Sequence, residues 1–424
     1  MSKNFKFKDV VIDKRGFLRG PFGGDLKKEI FVKQSNDTYK VYEQGVVLNS
    51  DKSIGRYYIS KEDYLAKLYK FSVEDKDFLI SCSGVNMGAI YQLKSPFEKG
   101  IINQALLRIR LNNDIIDDNY FYYLFKELIS RRITSGSGDS TIPNFPALEV
   151  IKNIEFELPD KLTQVNVGKL LFALDSKIEL NNRINAELEA MAKTLYDYWF
   201  VQFDFPFNFA QGKPDKNGCC TEPAEVKPYK TSGGKMVWNE ELKREIPEGW
   251  EVDSIDSYAE VKKGELITAK DAKEGSIKVI AAGIDFSYLH STPNRLKNTI
   301  TISGSGANAG FINFWREPIF ASDCITVRGK SDSETLILLQ YLNFIQPHIL
   351  NQATGSAQPH VYPSDIKVLN YVIPPNPLIE NYGKVVLPMN EKIGTNIVEN
   401  QKLAELRDWL LPMLMNGQVK VSER

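Results

Sequence analysis

The chain has 424 residues, with 53 Lys+Arg against 54 Asp+Glu and a formal net charge of -1. That balance excludes a polybasic or histone-like binder, although a local basic groove can still attract a polyanion. With 42% hydrophobic and 25% charged residues, the chain is long enough for two or three domains, each with its own core.

Met1 to Val11 lacks the apolar run of a signal peptide, and the most apolar stretch, Leu336 to Ile345, is far short of the roughly 18 residues a membrane span needs. A cytoplasmic protein without membrane contact is therefore expected. Cys82, Cys219, Cys220 and Cys324 form no CxxC pair, so no zinc ribbon or disulfide framework is legible.

In chain order, the first half reads as a β-rich stretch with a Gly/Ser/Asn turn at ISCSGVNMGAI (80–90), and then a short apolar helix. A Gly136-Ser137 loop follows, then a strand ending in Pro159, and then a long helix. The second half repeats this order. ISGSGANAGFI (302–312) matches the first turn at an offset of 222 with seven of eleven positions identical, and Gly355-Ser356 stands opposite Gly136-Ser137.

The long helices carry heptad seams. Leu174, Ile178, Asn181, Asn185, Leu188, Ala192, Leu195 and Trp199 step 4, 3, 4, 3; Met389, Ile393, Asn396, Asn400, Leu403, Arg407, Leu410 and Leu414 repeat the steps at an offset of 215. Seam asparagines cost stability and fix register. An antiparallel pairing about a two-fold axis would place Asn181 opposite Asn400 and Asn185 opposite Asn396. Between the halves, 204–246 holds four prolines and four glycines and reads as a linker. The resulting plan is a globular unit at 1–160, a long helix at 161–203, the linker at 204–246, a second globular unit at 247–375 and a long helix at 376–416.

Motifs for catalysis are weak. Gly304, Gly306 and Gly310 are spaced GxGxxxG, and the first copy has Cys82 in place of Gly304, which suits a strand-to-strand turn better than a nucleotide cradle. Pro214-Asp215 with Glu225-Val226-Lys227 fits a nuclease letter pattern, but its Lys, Gly, Cys and Pro flanks are not those of adjacent strands holding Mg²⁺. Pro374-Pro375-Asn376-Pro377 has the wrong order for a base-flipping methyltransferase loop. His290, His348 and His360 show no metal-ligand spacing. No catalytic and no metal residue is assigned.

The whole-chain pattern, and above all LYDYWFVQFDFP (195–206), KTSGGKMVWNEELKREIPEGW (230–250), ATGSAQPH (353–360) and ELRDWLLPMLMNG (405–417), resembles the specificity (S) subunit of type I restriction-modification systems. Two departures stand out: the first half lacks a counterpart of Pro247-Glu248-Gly249-Trp250, and 208–227 is unlike the usual junction.

The resemblance implies an α/β (α+β) fold, with two pseudo-symmetric target-recognition domains joined by two long antiparallel coiled-coil helices. It implies a non-catalytic, DNA-binding subunit that reads a bipartite asymmetric target in double-stranded DNA in defence against foreign DNA. Two methyltransferase subunits with S-adenosylmethionine, and two restriction (motor-nuclease) subunits using ATP and Mg, would dock on it, and no cofactor is expected in this chain. A stand-alone DNA-modifying enzyme and a coiled-coil scaffold without DNA binding are the alternatives.

Candidate DNA-binding residues are Arg131, Arg132, Ser137, Asn86, Lys262, Lys263, Asn308, Ser356, Gln358 and His360, because such side chains bond phosphates and base edges. Residues identical in both copies, such as Asn86 and Asn308, are expected to be architectural or phosphate-facing, since they cannot separate two different half-sites. Asn181, Asn185, Asn396 and Asn400 are the register candidates. Replacing Arg131 and Arg132 by Ala is expected to weaken DNA binding, and relaxed preference in one half-site would mark base reading. Binding that is unchanged at low and high salt would sink the assignment.

Overall fold

A computed structural model describes residues 3–13, 15–84, 86–135, 147–206, 227–353 and 359–421. The chain divides into two units, Met1–Glu179 with Gln401–Arg424, and Leu180–Asn400. The division cuts both long helices, Lys161–Tyr196 and Asn376–Met415, so each unit contains part of each.

In the first unit a four-stranded antiparallel sheet runs in the order Phe17–Arg19, Leu106–Ile109, Phe78–Ser81, Ile90–Gln92. A second sheet holds Phe31–Val32, Tyr58–Ile59, Tyr39–Tyr42 and Gly100–Ile102, its last two strands parallel. Lys3–Lys6 pairs with Glu155–Leu158 just before the first long helix.

The second unit repeats the scheme. Its four-stranded sheet runs Ala259–Lys263, Cys324–Gly329, Thr299–Ser303, Ile312–Trp315. Its smaller sheet runs Tyr288–His290, Ile277–Ile280, Phe320–Ala321, again ending in a parallel pair, and Glu251–Ser254 pairs with Asn370–Ile373 before the second long helix. Lys3–Lys6 thus occupies in the first unit the place that Glu251–Ser254, directly after the Pro-Glu-Gly-Trp segment, takes in the second.

The central strands are covered on both faces. In Thr299–Ser303 every residue is buried: Ile300 and Ile302 enter the main core, while Thr301 accepts a 2.8 Å bond from Trp315 Nε1 on the other face. β-branched residues suit such a doubly buried strand, and the hydroxyl is tolerated because it is bonded.

The first long helix starts where Asp160 caps it, accepting bonds from Thr163 N and Oγ1 at 3.0 and 2.8 Å. These bonds, the backbone one foremost, hold the Asp160 carboxyl below its ordinary pKa. At its other end, Trp199 and Phe200 close on Tyr382 of the second long helix at ring-centroid distances of 6.0 and 5.3 Å. Phe205 stacks between Tyr229 and Trp250 at 4.7 and 5.2 Å.

Composition marks 204–246 as a linker, whereas its described ends are packed. Phe205, Tyr229 and Ile246 are buried, Thr231 donates twice to the Asp204 carboxylate, and Met236–Asn239 pairs with Arg244–Pro247. Prolines and glycines bend the chain here without freeing it, because aromatic side chains supply the burial that loop composition hides. Residues 207–226, with Cys219, Cys220 and most of the nuclease-like letter pattern, lie outside the described residues.

In the second unit the long helices run antiparallel. Asn181 Nδ2 donates to Asn400 Oδ1 at 2.9 Å and to Glu399 Oε2 at 2.7 Å; Asn396 Nδ2 donates to Asn185 Oδ1 at 2.8 Å. Asn181 and Asn396 are almost fully buried, and the Oδ1 atom of each has no partner among the described residues.

One residue past Leu174 and Met389 stand Asp175 and Asn390, and each is a clasp. In the first unit Asp175 accepts from Tyr123 OH at 2.6 Å and from Arg407 at 2.6 Å, tying the helix Asp118–Ser135 and the second long helix to the first. In the second unit Asn390 accepts from Arg316 Nε at 2.8 Å and donates to Asn298, while Arg316 also reaches Glu189 on the first long helix at 3.0 Å. Burial lowers the Arg316 guanidinium pKa, with Glu189 opposing. The first clasp thus joins three helices, and the second ties the ends of the strands Thr299–Ser303 and Ile312–Trp315 to the helix pair.

An unpartnered buried carbonyl costs about 1–3 kcal/mol. Asn181→Leu with Asn400→Leu is therefore expected to raise the melting temperature while admitting other registers or self-association. Thermal melting with light scattering checks this, and a double variant that stays in one state with one register contradicts a register role.

Candidate nucleic-acid interface

Four of the sequence-predicted residues of the second unit, Lys262, Lys263, Asn308 and His360, converge at one end of its four-stranded sheet. Lys262 and Lys263 close the strand Ala259–Lys263, opposite Thr326 and Ile325 near the start of Cys324–Gly329. Ser303, at the end of Thr299–Ser303, pairs with Cys324. The turn after it carries Asn308 and is pinned to the 359–361 segment: Gly306 N donates to Pro359 O, Val361 N donates to Gly304 O, and Ser305 bridges His360. Ser305 Oγ donates to Asp323 Oδ2 at 2.8 Å.

Lys262, Lys263 and His360 are exposed and Asn308 is half-buried. Lys262 pairs with Glu260 at 2.5 Å, both exposed, so that pair contributes little to stability and leaves the ammonium available. The His360 ring stacks on Tyr362.

The first unit builds the same end. Its turn carries Asn86, exposed, and lies against Gln44, whose Nε2 donates to Ser81 Oγ at 2.7 Å and to Ser83 O at 2.5 Å. The turns share backbone geometry. Gly84 and Gly306 have φ +74 and +75, and Gly88 and Gly310 have φ +83 and +86, a region that favours glycine. Gly88 N and Gly310 N bond the last strand residues, Ser81 and Ser303. The GxGxxxG spacing thus makes a strand-to-strand turn, with a short 3-10 turn at Gly306–Asn308 in place of a phosphate-binding helix.

Sequence reasoning missed Arg19. A Cβ on Gly20 would meet Asn103 O at 1.9 Å, and one on Gly264 would meet Ser322 O at 2.0 Å; Gly20 N donates to Leu106 O and Gly264 N to Cys324 O. The matching close approaches align Arg19-Gly20 with Lys263-Gly264, so each loop end begins with a cation. The signal in the sequence is only a basic residue before Gly.

Arg131 and Arg132 are in the helix Asp118–Ser135, but their side chains lie outside the described residues, as do Ser137, Ser356 and Gln358. Asn181, Asn185, Asn396 and Asn400 are in the helix pair.

Among the described residues no group of acidic, His or Cys side chains could hold a metal, and no helix is long and apolar enough to cross a membrane. His290 is buried and accepts from Lys273 N through Nδ1. Burial pushes the Cys82 and Cys324 thiols up to about 11 and about 12, far from the thiolate a nucleophile needs.

The profile of the type I restriction modification DNA specificity domain matches the chain twice, at 23–190 and 247–404. The chain belongs to this family. Among its relatives is the specificity subunit of the type I restriction enzyme MjaIX from Methanocaldococcus jannaschii, 25% identical over 82% of this chain and 79% of that protein. The HindI specificity subunit of Haemophilus influenzae is 23% identical over 93% of this chain and 98% of its own length. In fold it is similar to the crystal structure of a type I S subunit from M. genitalium, with a TM-score of 0.60 at 17% identity, covering 98% of this chain and 96% of that one. The chain is a type I specificity subunit, a recognition subunit rather than a catalytic one.

Replacing one phosphate-facing cation reduces the magnitude of the salt slope of binding by about 1. Arg19→Ala and Lys263→Ala are each expected to do so without changing base preference. Titrations against duplex DNA at several salt concentrations check this, and unchanged slopes would remove both residues from the interface.

Proposed function

We propose that this chain reads a bipartite, asymmetric duplex target, one half-site at the sheet end of each unit. It holds two methyltransferase and two motor-nuclease subunits around that target and works in the cytoplasm against foreign DNA. Residues 1–160 and 247–375 serve as the target-recognition domains, with 161–203 and 376–416 as the helices that set their spacing.

The observation supporting this reading is one frame carrying two surfaces. Strand order, turn dihedrals and glycine approaches repeat, while Gln44 supports one turn and Asp323 the other. Proteins that read DNA with two modules match module spacing to half-site spacing, and modules with different side chains read different half-sites. The partner subunits come to this reading from the family.

Methylation sequencing of cells that express the chain with its methyltransferase subunit tests it. A two-part motif with unlike halves is expected; a single continuous or palindromic motif overturns the bipartite reading. DNA binding lost while partner assembly persists would leave a scaffold.

Because the helices pair antiparallel, an insertion in one alone would bulge. Seven residues added both after Asn185 and after Thr395 keep the seam phase and lengthen the pair by about 10 Å. The half-site bases are expected to stay while the nonspecific spacer grows by at most roughly three base pairs at about 34 Å per turn. An unchanged spacer in an active variant would show that something other than these helices sets the distance.

A further inference from the structure

Two residues past each close-approach glycine stands a large apolar side chain in water. Phe22 is 65% exposed, and Leu266, at 78%, is the most exposed large hydrophobic among the described residues. The surrounding sequences differ, RGPFGG against KGELIT, yet the position and its apolar character recur.

Backbone bonds tie each loop to the sheet end beside it. Gly20 N is tied to Leu106 O; Gly264 N, Glu265 N and Ile267 N are tied to Cys324 O, Ala321 O and Ser322 Oγ. Each apolar tip has a cation at its base: Arg19 Cζ lies 5.3 Å from the Phe22 ring centroid, and Lys262 and Lys263 are exposed before Leu266.

A cation at the base of each tip suits a polyanion, and an apolar tip beside it has no use for phosphate. What DNA offers an apolar side chain is the face of a base step, and Phe and Leu are residues that enter between steps and partly unstack them. Because the same chemistry recurs in both copies, it cannot tell one half-site from the other.

We infer that Phe22 and Leu266 are wedges that pack on a base step at the edge of each half-site, with Arg19 and Lys263 on the neighbouring phosphates. The inference rests on the DNA-recognition reading above. Both side chains are exposed, so truncation opens no cavity in either core.

The test uses the full chain assembled with its methyltransferase subunit. The probes are duplexes carrying the motif found by methylation sequencing, with 2-aminopurine placed in turn at positions in and beside each half-site. The wild-type complex is expected to raise fluorescence at one position per half-site. Phe22→Ala should abolish the rise at one half-site and weaken affinity roughly fivefold to 150-fold, the range for loss of an aromatic side chain stacked on a base, and Leu266→Ala should abolish the rise at the other half-site and also weaken affinity. Phe22→Leu should retain the signal.

A wild-type complex that binds its motif with no rise at any position overturns the inference alone, as do variants that keep fluorescence and affinity. Loss of the methyltransferase subunit from Phe22→Ala, with affinity per assembled complex unchanged, assigns the side chain to a protein partner and overturns it too. A wild-type complex without sequence preference overturns the recognition reading itself, and the inference with it.

Discussion

A primary amide buried between two helices has few places to put its hydrogen bonds, and that restriction governs much of what this chain builds. Within the second unit Asn181 meets Asn400 and Asn396 meets Asn185. Sliding one helix by a turn would strand these amides among apolar seam residues, at a cost of about 1–3 kcal/mol for each unpaired group. With this register set, Asn390 lies within reach of both Arg316 and Asn298, and through Arg316 the sheet also reaches Glu189. The first unit meets the same need with a charge: Asp175 between Tyr123 and Arg407. A carboxylate with two donors and an amide beside an ion pair are different chemical solutions at one repeated position. The position is therefore fixed by geometry and its residue by the neighbours available.

The sheet ends follow a similar division of labour. Glycines at 84, 88, 306 and 310 set a backbone path that side chains would strain, and glycines at 20 and 264 let a loop pass where no Cβ fits. These contacts are backbone to backbone and are indifferent to sequence elsewhere, which leaves the exposed positions around them free to differ. Thus Gln44 supports one turn and the pair Ser305–Asp323 the other, without altering the dihedrals between them.

Much of the fold was legible in the sequence because its strongest signals are local or repeated. The heptad steps need only a window of a few turns, and the Ser-Gly-Asn-Gly turn announces itself twice at nearly constant offset. What stayed hidden depends on distant partners. Arg19 matches Lys263 only through the approach of Gly20 to Asn103 and of Gly264 to Ser322, and insertions have moved that offset away from the one relating the turns. Lys3–Lys6 carries no Pro-Glu-Gly-Trp label, and its role emerges only in its pairing with Glu155–Leu158. The 204–246 segment misleads for the opposite reason. Proline and glycine counts measure bending, while Phe205 and Tyr229 decide burial.

Two copies of one frame face opposing demands when they must read different half-sites. Symmetry favours identical contacts wherever a contact only bears load, as in the helix seam and the glycine turns, because a solution stable in one copy is stable in the other. Discrimination requires the reverse, since ΔΔG between two base sequences arises only where side chains differ. An apolar character repeated at a solvent-exposed tip belongs to neither group: it bears no load in the core, and what the two copies share cannot discriminate. Phe22 and Leu266 are in that third position, and a shared, sequence-neutral contact to the common part of both half-sites is the role left for them.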